Sequence, residues 1–251
     1  MKQSFTSDNG IRPGERTGLN GQAIKNKILL GLPDAEFRRV RTYLEFLKLP
    51  HHFSLHAPGK RVAHAYFLNH GLASIVVSTR DGRDVEAGVA GCEGFVGTAL
   101  IADLRRSPLR EQMQIAGEGF RIGAEPLRSL LEESPALRMR LIRYAVLQSL
   151  QVAQTAACNR LHEVSQRLAR WLLLAQDRLD AATVPITHDF LATMLGTDRP
   201  SVSLAAAGLQ RKHLIAYRRG LVRIRNRKRL EAEACECYET IRQFDGELGL
   251  R

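Results

Sequence analysis

No stretch of the sequence approaches the roughly 20 consecutive apolar residues that a membrane-spanning helix needs, so a membrane protein is disfavoured. Residues 1–22 are polar and lack the apolar core of a signal peptide, so we expect a cytoplasmic protein with a disordered N-terminal segment. Catalytic motifs are lacking as well. There is no G-x-G-x-x-G turn, Walker loop, metal-spacing motif or nucleophile–base pair, and we therefore expect no enzyme.

Cysteine is scarce, with four residues in the 251-residue chain. Cys92 and Cys158 are isolated, whereas Cys235 and Cys237 form a Cys-Glu-Cys pair within a predicted helix. A reducing cytosol disfavours a disulfide framework. Residues two apart on a helix point in nearly opposite directions, which is poor geometry for holding one ion. We predict no metal and no cofactor and interpret the cysteines as structural; a zinc, iron–sulfur or thiol-switch role is the alternative.

Basic residues, by contrast, are abundant, and the formal net charge is +11. Residues 187–230 contain ten basic and two acidic residues, so this segment alone carries +8. Such a concentration is typical of a protein that binds a polyanion. A solvated basic face on a small helical domain is the alternative interpretation.

Residues 186–224 predict a helix, a tight turn, a second helix and a short basic hairpin. Thr187 and Asp198 are the predicted N-caps of the two helices, because their side-chain oxygens can accept from unpaired amides of the first turn. Gly196 is expected to end the first helix in the left-handed conformation. This is the pattern of a winged helix-turn-helix, whose second helix enters the DNA major groove.

The recognition helix, predicted at about residues 199–211, supplies the candidate base-reading side chains. Arg199 is the strongest of them, because its guanidinium can pair with O6 and N7 of guanine. Ser203 can also bond a base, and Leu204 can touch a thymine methyl group. The predicted phosphate contacts are Ser201, His188, Arg218 and Arg219.

Short apolar runs separated by turn signals occupy residues 51–122 and indicate a small antiparallel barrel or roll. The predicted strands include residues 65–68, 74–77 and 85–89. The predicted turns are residues 57–60, 69–71, 80–83 and 116–119. Asp81-Gly82 is the strongest hairpin signal among them.

Helical periodicity flanks this β-region on both sides. The predicted helices are residues 25–49 with a break at Pro33, residues 127–133, a long helix beginning at Pro135, residues 164–179 and residues 230–244. The long helix has two apolar stripes, and a helix that is apolar on two faces must bury both. One stripe comprises Leu137, Leu141, Tyr144, Ala145 and Val152, and the other comprises Ile142, Val146, Leu150, Ala153 and Ala157. We expect the first to pack on the β-roll and the second on the same helix of a second subunit; burial of both within one chain is the alternative.

A β-roll followed by a long helix and a winged helix-turn-helix resembles the Crp–Fnr family of bacterial transcription regulators, over roughly residues 24–224. The resemblance is most specific in residues 186–215, where IT-x8-G-x2-R-x-S-V-S and a terminal L-I match the family in spacing and residue type. It implies an α+β fold with an N-terminal antiparallel β-roll (cyclic-nucleotide-binding-like, jelly-roll type), a long dimerisation helix and a C-terminal winged helix-turn-helix. It also implies a homodimer that binds two-fold operators, with an N-terminal sensor adjusting the dimer geometry.

The expected domains are a disordered segment (1–22), a β-roll sensor (23–134), a dimerisation helix (135–161) and a DNA-binding domain with a C-terminal helix (162–251). We predict a sequence-specific DNA-binding transcriptional regulator. Its expected partners are double-stranded DNA and a second copy of itself, with RNA polymerase as a further candidate and no membrane. The alternative is a small-molecule-binding module of the cyclic-nucleotide-domain type with weak or non-specific DNA binding.

The sensor departs from the cyclic-nucleotide binders of the family, and its effector is unknown. Those proteins carry a G-E-L-G turn whose glutamate holds the ribose, and a following R-S/T-A whose arginine holds the cyclic phosphate. This sequence has G-T-A-L over residues 97–100 and R-S-P over residues 106–108, so the charge-assisted ribose contact is missing. Thr98, Arg106 and Ser107 are weak ligand-binding candidates. A haem ligand among His51, His52, His56, His64 and His70 is an alternative, but histidines near strands are usually structural or solvated.

Two further departures concern the iron–sulfur branch and the operator. The oxygen-sensing members use an N-terminal cysteine cluster, and no cysteine precedes Cys92 in this sequence, so that branch is disfavoured. The best-known member has R-E-x-x-x-R in its recognition helix, whereas Pro200 and Leu204 follow Arg199 at those positions. The resemblance therefore implies a different operator sequence.

Overall fold

The computed structural model describes residues 16–179 and 181–247. The first part of the chain is built on a sheet. Its elements are α1 (Lys27–Leu30), α2 (Asp34–Arg41), β1 (Glu45–Leu49), β2 (Ser54–His56), β3 (His64–Ser78), β4 (Asp84–Ala90), a 3-10 helix (Thr98–Ala102) and β5 (Arg110–Gly123). The strands form one antiparallel sheet in the order β1-β5-β3-β4, with β2 also paired to β5.

The second part is helical and carries a small three-stranded sheet in the order β6-β8-β7. Its elements are α3 (Ala124–Glu133), α4 (Pro135–Leu161), α5 (Val164–Leu179), β6 (Thr183–Pro185), α6 (His188–Leu195), α7 (Arg199–Arg211), β7 (Ile215–Arg218), β8 (Leu221–Ile224), α8 (Arg227–Glu233) and α9 (Cys237–Glu247). This order confirms the predicted fold class of antiparallel β-roll, long helix and winged helix-turn-helix. Within the described ranges, every helix is too short or too polar to cross a membrane.

Two apolar cores organise these elements. The first is enclosed by the β-roll with α1 to α4. The second lies among the helices from α5 onward and continues into the β-roll through Leu72, Val89 and Ile115. Because the second core includes residues of the β-roll, the helix-turn-helix region packs directly on the sheet.

The N-terminal segment was expected to be disordered over residues 1–22. Its first 15 residues lie outside the described part of the chain. Residues 16–22 are ordered, which corrects the prediction there: Arg16 forms an ion pair with Asp34 at 2.6 Å, and Thr17 forms an antiparallel bridge with Ala23. The partners in these contacts belong to α2 and to the segment just before α1. The polarity of residues 16–22 alone does not predict such contacts.

The helix predicted over residues 25–49 ends earlier than expected. α2 stops at Arg41, and Glu45–Leu49 is strand β1, paired with the edge of β5. Glu45 lies opposite Arg121 and forms an ion pair with it at 2.8 Å. Pairing with an available sheet edge outweighs the local helical periodicity.

Two predicted turns are instead parts of long strands. Residues 69–71 lie inside β3, where Gly71 has a φ of 94° and the register with β5 shifts, so they form a bulge. Residues 116–119 lie inside β5, where a Cβ on Gly117 would approach the His70 carbonyl oxygen to 2.0 Å. The two glycines permit a close backbone crossing that a side chain would block. The hairpin predicted at Asp81-Gly82 is confirmed by the pairing of β3 with β4.

The C-terminal helix predicted over residues 230–244 is in fact two helices. α8 ends before Ala234, whose backbone is extended, and α9 begins at Cys237. Cys235 lies between the helices, so the helical geometry that argued against shared chelation by Cys235 and Cys237 does not apply. That part of the sequence interpretation is wrong.

The long helix α4 begins at Pro135 as predicted. In its inner stripe Leu137, Leu141 and Tyr144 are buried, but Val152 is 37% exposed, contrary to expectation. The outer stripe faces solvent in the single chain, which leaves the predicted partner face uncovered. Its members are Ile142, half-buried, and Val146, Leu150, Ala153 and Ala157, all exposed.

Candidate nucleic-acid interface

The helix-turn-helix is built from capped helices, as the sequence predicts. The Thr187 hydroxyl accepts from the Phe190 amide at 3.3 Å, and the Asp198 carboxylate accepts from the Ser201 amide at 2.8 Å. Gly196 ends α6 with a φ of 56°. These local hydrogen bonds fix where α7 starts and therefore which of its residues point outward.

Helix α7 presents one apolar and one open face. The inner face is buried and comprises Val202, Ala205, Ala206 and Leu209. On the outer face Arg199 is exposed and Leu204 is 69% exposed. The Arg199 guanidinium lies 3.4 Å from the Asp189 carboxylate, and both side chains are about two-thirds exposed. An exposed pair of this kind contributes little to stability, so it holds the Arg199 guanidinium only weakly.

The structure brings His188 and Ser203 together, a contact that was not predicted. The His188 Nδ1 and the Ser203 hydroxyl are 2.9 Å apart, and the imidazole stacks on the Tyr217 ring with centroids 4.1 Å apart. Burial lowers the pKa of the His188 imidazole, and the Arg199 guanidinium lowers it further. His188 is therefore neutral at neutral pH. Through its contacts with Ser203 and Tyr217 it links α6 to α7 and β7.

Ser201 is also engaged within the chain. Its hydroxyl donates to the Asp198 carboxylate at 2.9 Å, in addition to the amide contact at the same cap. Both hydrogen bonds to Ser201 lower the pKa of the Asp198 carboxyl group, which stays ionised. Ser201 thus reinforces the start of α7.

The predicted basic hairpin is the β7–β8 turn. Arg219 and Gly220 have φ values of 48° and 76°, the two left-handed residues of a type I′ turn. The Arg218 and Arg219 side chains are exposed. The Tyr217 amide donates to the Gln210 side chain at 2.9 Å, which holds the hairpin beside the end of α7. Strand β6, which was not predicted, completes this sheet.

Most of the cations counted in the sequence lie on the surface of this region. The exposed ones are Arg199, Arg211, Lys212, Arg218, Arg219, Arg223, Arg225, Lys228 and Arg229. Arg227 differs because it is partly buried and forms an ion pair with Asp177 at 2.7 Å. The exposed set supplies the positive surface that a phosphate backbone requires.

The candidate ligand residues lie in the connection between β4 and β5. Thr98 begins the 3-10 helix, Arg106 forms a backbone bridge with Arg61, and the Ser107 hydroxyl accepts from the Leu109 amide at 3.1 Å. A cavity of about 940 Å³ lies elsewhere, between the β-roll and the helix-turn-helix. Its lining residues include His51, His52, His70, Phe190 and Arg219.

Among the candidate haem ligands, His56 is the most constrained. Its Nδ1 contacts the buried Glu111 carboxylate, and its Nε2 lies 2.8 Å from the His64 carbonyl oxygen. With both ring nitrogens engaged and the side chain buried, His56 serves the packing of the roll.

Buried polar contacts connect the β-roll to the helix that leads into the helix-turn-helix. The Glu86 carboxyl group on β4 accepts from the Trp171 indole at 2.9 Å and from the Ser74 hydroxyl at 2.7 Å. The Arg178 guanidinium on α5 donates to the Glu93 carboxylate at 3.0 Å. No sequence motif marked these residues, since their partners are about 85 positions away in the chain.

The Glu86 contact predicts a pH-dependent stability. Burial raises the pKa of Glu86 to about 7, although its hydrogen bonds to Ser74 and Trp171 and the charges of Arg170 and Arg178 act in the opposite direction. Between the ordinary carboxyl pKa and about 7 the native state binds the extra proton, so the free energy of unfolding falls as pH rises through this range. We expect Glu86 to account for a loss of up to about 3 kcal/mol between pH 4.5 and 7.5.

Urea unfolding at a series of pH values checks this expectation, with Glu86→Gln as the comparison. The amide mimics the protonated acid, because its oxygen can accept from the Trp171 indole and its NH2 group can donate to the Ser74 hydroxyl oxygen. The variant should therefore be the more stable protein at pH 7.5 and lose its advantage near pH 4.5. Parallel pH profiles for the two proteins would contradict the assignment.

Known proteins have the same architecture. Residues 166–233 match the Crp-like helix-turn-helix domain. No curated protein gives a significant match to the sequence. Among solved structures, a CRP-family transcriptional regulator from Thermus thermophilus has a TM-score of 0.63 over 75% of this chain and 96% of its own, at 24% identity.

Two more distant structures agree with it. The c-di-GMP responsive global regulator CLP of Xanthomonas campestris has a TM-score of 0.61 at 20% identity, covering 76% of this chain and 99% of its own. FixK2 of Bradyrhizobium japonicum has a TM-score of 0.63 at 14% identity, covering 76% of this chain and 98% of its own. The chain therefore carries a Crp-like helix-turn-helix domain on the fold of CRP/FNR-family transcriptional regulators, and the resemblance stated from its sequence is confirmed.

Proposed function

We propose that the protein is a sequence-specific DNA-binding transcriptional regulator that acts as a homodimer. The observation that carries the proposal is the outer face of α7, where Arg199 and Leu204 are exposed at the N-terminal end of a firmly capped helix. The N-terminal end of a recognition helix is the part that meets base edges. The exposed cations of the β7–β8 turn lie on the same region and suit the adjacent phosphates.

The proposed division of labour on DNA follows side-chain chemistry. Arg199 reads guanine, with Ser203 and Leu204 beside it on the groove-facing surface. Arg218 and Arg219 contact phosphates. His188 and Ser201 support these contacts mainly by positioning α7, since the His188 Nδ1 and the Ser201 hydroxyl are hydrogen-bonded within the chain.

The proposed dimer uses the outer stripe of α4. A parallel pair of these helices would cover Val146 and Leu150, which are exposed in the single chain. In this arrangement residues 135–161 form the dimerisation helix between the sensor (residues 23–134) and the DNA-binding domain (residues 162–251). Two-fold symmetry then places the half-sites about one helical turn of DNA apart.

Selection of bound sequences from a random DNA pool tests the proposal directly. We expect enrichment of a two-fold symmetric sequence by the full chain at physiological salt. Repeating the selection with cell extract shows whether a diffusible effector changes binding. Recovery of unenriched DNA in both selections would contradict sequence-specific recognition.

Arg199→Ala is expected to weaken binding to the selected operator by about 1–3 kcal/mol and to relax the preference at one base pair of each half-site. The reason is the loss of a bidentate contact that no neighbouring side chain replaces. Fluorescence anisotropy on the operator and on single-base variants measures both effects.

Arg218→Ala is the matched control, because it removes an exposed arginine from the hairpin and not from the recognition helix. It should weaken binding to all sequences alike and reduce the slope of log K against log salt by about 1. Equal base preference in wild type and Arg199→Ala would refute the assigned role of Arg199.

A second candidate function is a small-molecule-binding module with weak or non-specific DNA binding. The cavity of about 940 Å³ between the β-roll and α6 favours it, because a ligand there would contact both parts. Thr98, Arg106 and Ser107 remain the candidates for a separate site in the roll. Tight small-molecule binding together with an unenriched DNA selection would support this candidate over the first.

A further inference from the structure

Four side chains that could bind a metal ion meet at the junction between the long helix and the C-terminal helices. Cys158 lies in the last turn of α4, and His162 is the C-cap residue that follows this helix. Cys235 lies between α8 and α9, and Cys237 begins α9. Cys158 is 77 positions from Cys235, and His162 is 75 positions from Cys237, so tertiary packing alone brings the two pairs together.

The ligand atoms have the spacing of a single-ion site. The three sulfur atoms and one imidazole nitrogen all lie within 4.8 Å of one another. The Cys158 and Cys235 sulfurs are 3.4 Å apart, and the Cys237 sulfur is 3.6 Å from His162 Nδ1. In tetrahedral zinc the bond lengths place neighbouring ligand atoms about 3.5–3.8 Å apart. The four side chains would therefore need to move by less than the length of one zinc–ligand bond to surround an ion.

Groups around the cluster match those that support metal ligands. The remaining ring nitrogen of His162 lies 3.2 Å from the Glu236 carboxylate, a contact that would fix Nδ1 as the metal-facing nitrogen. The Gln154 side-chain amide donates to the Cys237 sulfur at 3.1 Å. The buried cations Arg167 and Arg170 act electrostatically on Cys158. Three thiolates around a dication carry a net negative charge, which these two arginines offset.

Other uses of the cysteines fit the geometry less well. The sulfur separation of 3.4 Å between Cys158 and Cys235 exceeds a disulfide bond of about 2.05 Å. An iron–sulfur cluster binds its ligands through different iron atoms, so the ligand atoms lie farther apart than those sharing one ion. Three sulfurs and one imidazole around a closed, mostly buried point are the donor set of a structural zinc site.

We infer that Cys158, His162, Cys235 and Cys237 bind one zinc ion that joins the end of α4 to the C-terminal helices. Only Glu163 separates His162 from α5, so the site lies at the turn between the long helix and the DNA-binding region. The ion would fix the position of α8 and α9 relative to this turn. The inference does not depend on the proposed DNA-binding function, because metal content is measured independently of DNA.

Metal analysis of the purified, reduced full chain tests the site. We expect about one zinc ion per chain in wild type and nearly none in Cys158→Ser and Cys235→Ser. Cys92→Ser is the matched control, because this fourth buried cysteine lies outside the cluster, and it should retain the full zinc content. Equal metal loss in Cys92→Ser, or the absence of stoichiometric zinc in wild type after zinc is supplied, would overturn the inference.

Cobalt substitution keeps the test valid if a serine variant fails to fold. Cobalt(II) added to metal-free wild type should give the intense visible bands of a tetrahedral ion together with thiolate-to-metal charge transfer, saturating at one ion per chain. His162→Ala should reduce or shift these bands. A weak octahedral spectrum, or a Cys158–Cys235 disulfide found by mass spectrometry in protein isolated without air, would refute the zinc site.

Discussion

Replacing Arg178 with alanine is expected to lower the free energy of unfolding by about 3–5 kcal/mol, because it breaks a buried ion pair and leaves Glu93 charged without its partner. The two side chains are 3% and 7% exposed. The guanidinium also donates to the Leu174 carbonyl at 3.3 Å and to the Gln151 side chain at 3.2 Å, so one residue links the β-roll, α4 and α5. Burial opposes the charge of Arg178, but Glu93 and other acidic groups outweigh it and raise the pKa of the guanidinium.

Urea unfolding monitored by circular dichroism measures the effect. Arg128→Ala is the control, because Arg128 also forms ion pairs, with Asp103 and Glu125, but on the surface. Exposed pairs of this kind typically contribute about 0–1 kcal/mol. If Arg178→Ala cost no more than Arg128→Ala, the buried pair would not be a major connection between the β-roll and the helices.

Val146→Glu is expected to separate the proposed dimer and to weaken operator binding by about 10²–10⁴-fold, the typical gain from linking two binding units. Val146 is 50% exposed on the outer stripe of α4. In a two-fold symmetric helix pair each outer-stripe residue lies near its own copy, so the substitution would bury two carboxylates against each other. Sedimentation velocity gives the oligomeric state, and anisotropy on full and half operators gives the affinity.

Val152→Glu is the matched control on the same helix. It introduces the same charge six residues later, about 120° around the helix from Val146, at a position that is 37% exposed. This variant should remain a dimer and bind the operator at close to wild-type affinity. A dimeric Val146→Glu protein with unchanged operator affinity would refute the proposed dimer face without contradicting the proposed DNA contacts of α7.

The parts of the fold that local interactions determine were predictable. The caps at Thr187 and Asp198, the left-handed Gly196 and the start of α4 at Pro135 each depend on residues within a few positions, and all are confirmed. The hairpin at Asp81-Gly82 follows the same rule. A capping oxygen or a positive φ depends on its neighbours in the chain, and the sequence reports these directly.

The strands of the β-roll show where local information ends. Residues 69–71 carry a turn signal, yet they form a bulge because β3 continues along β5 on both sides of them. Glu45–Leu49 has helical periodicity, yet it completes the sheet edge. In both places a partner far along the chain supplies hydrogen bonds that outweigh the local preference.

The sequence alone therefore determined the two-helix unit, the basic surface around it and the exposed stripe of the long helix, since each depends on spacing and charge within one segment. Tertiary structure decided which polar groups meet. It paired Arg178 with Glu93, engaged Ser203 with His188, and brought Cys158 within 3.4 Å of Cys235. The physical reason is that a buried charge or thiol is defined by its surroundings, and these come from segments that only the folded chain places side by side.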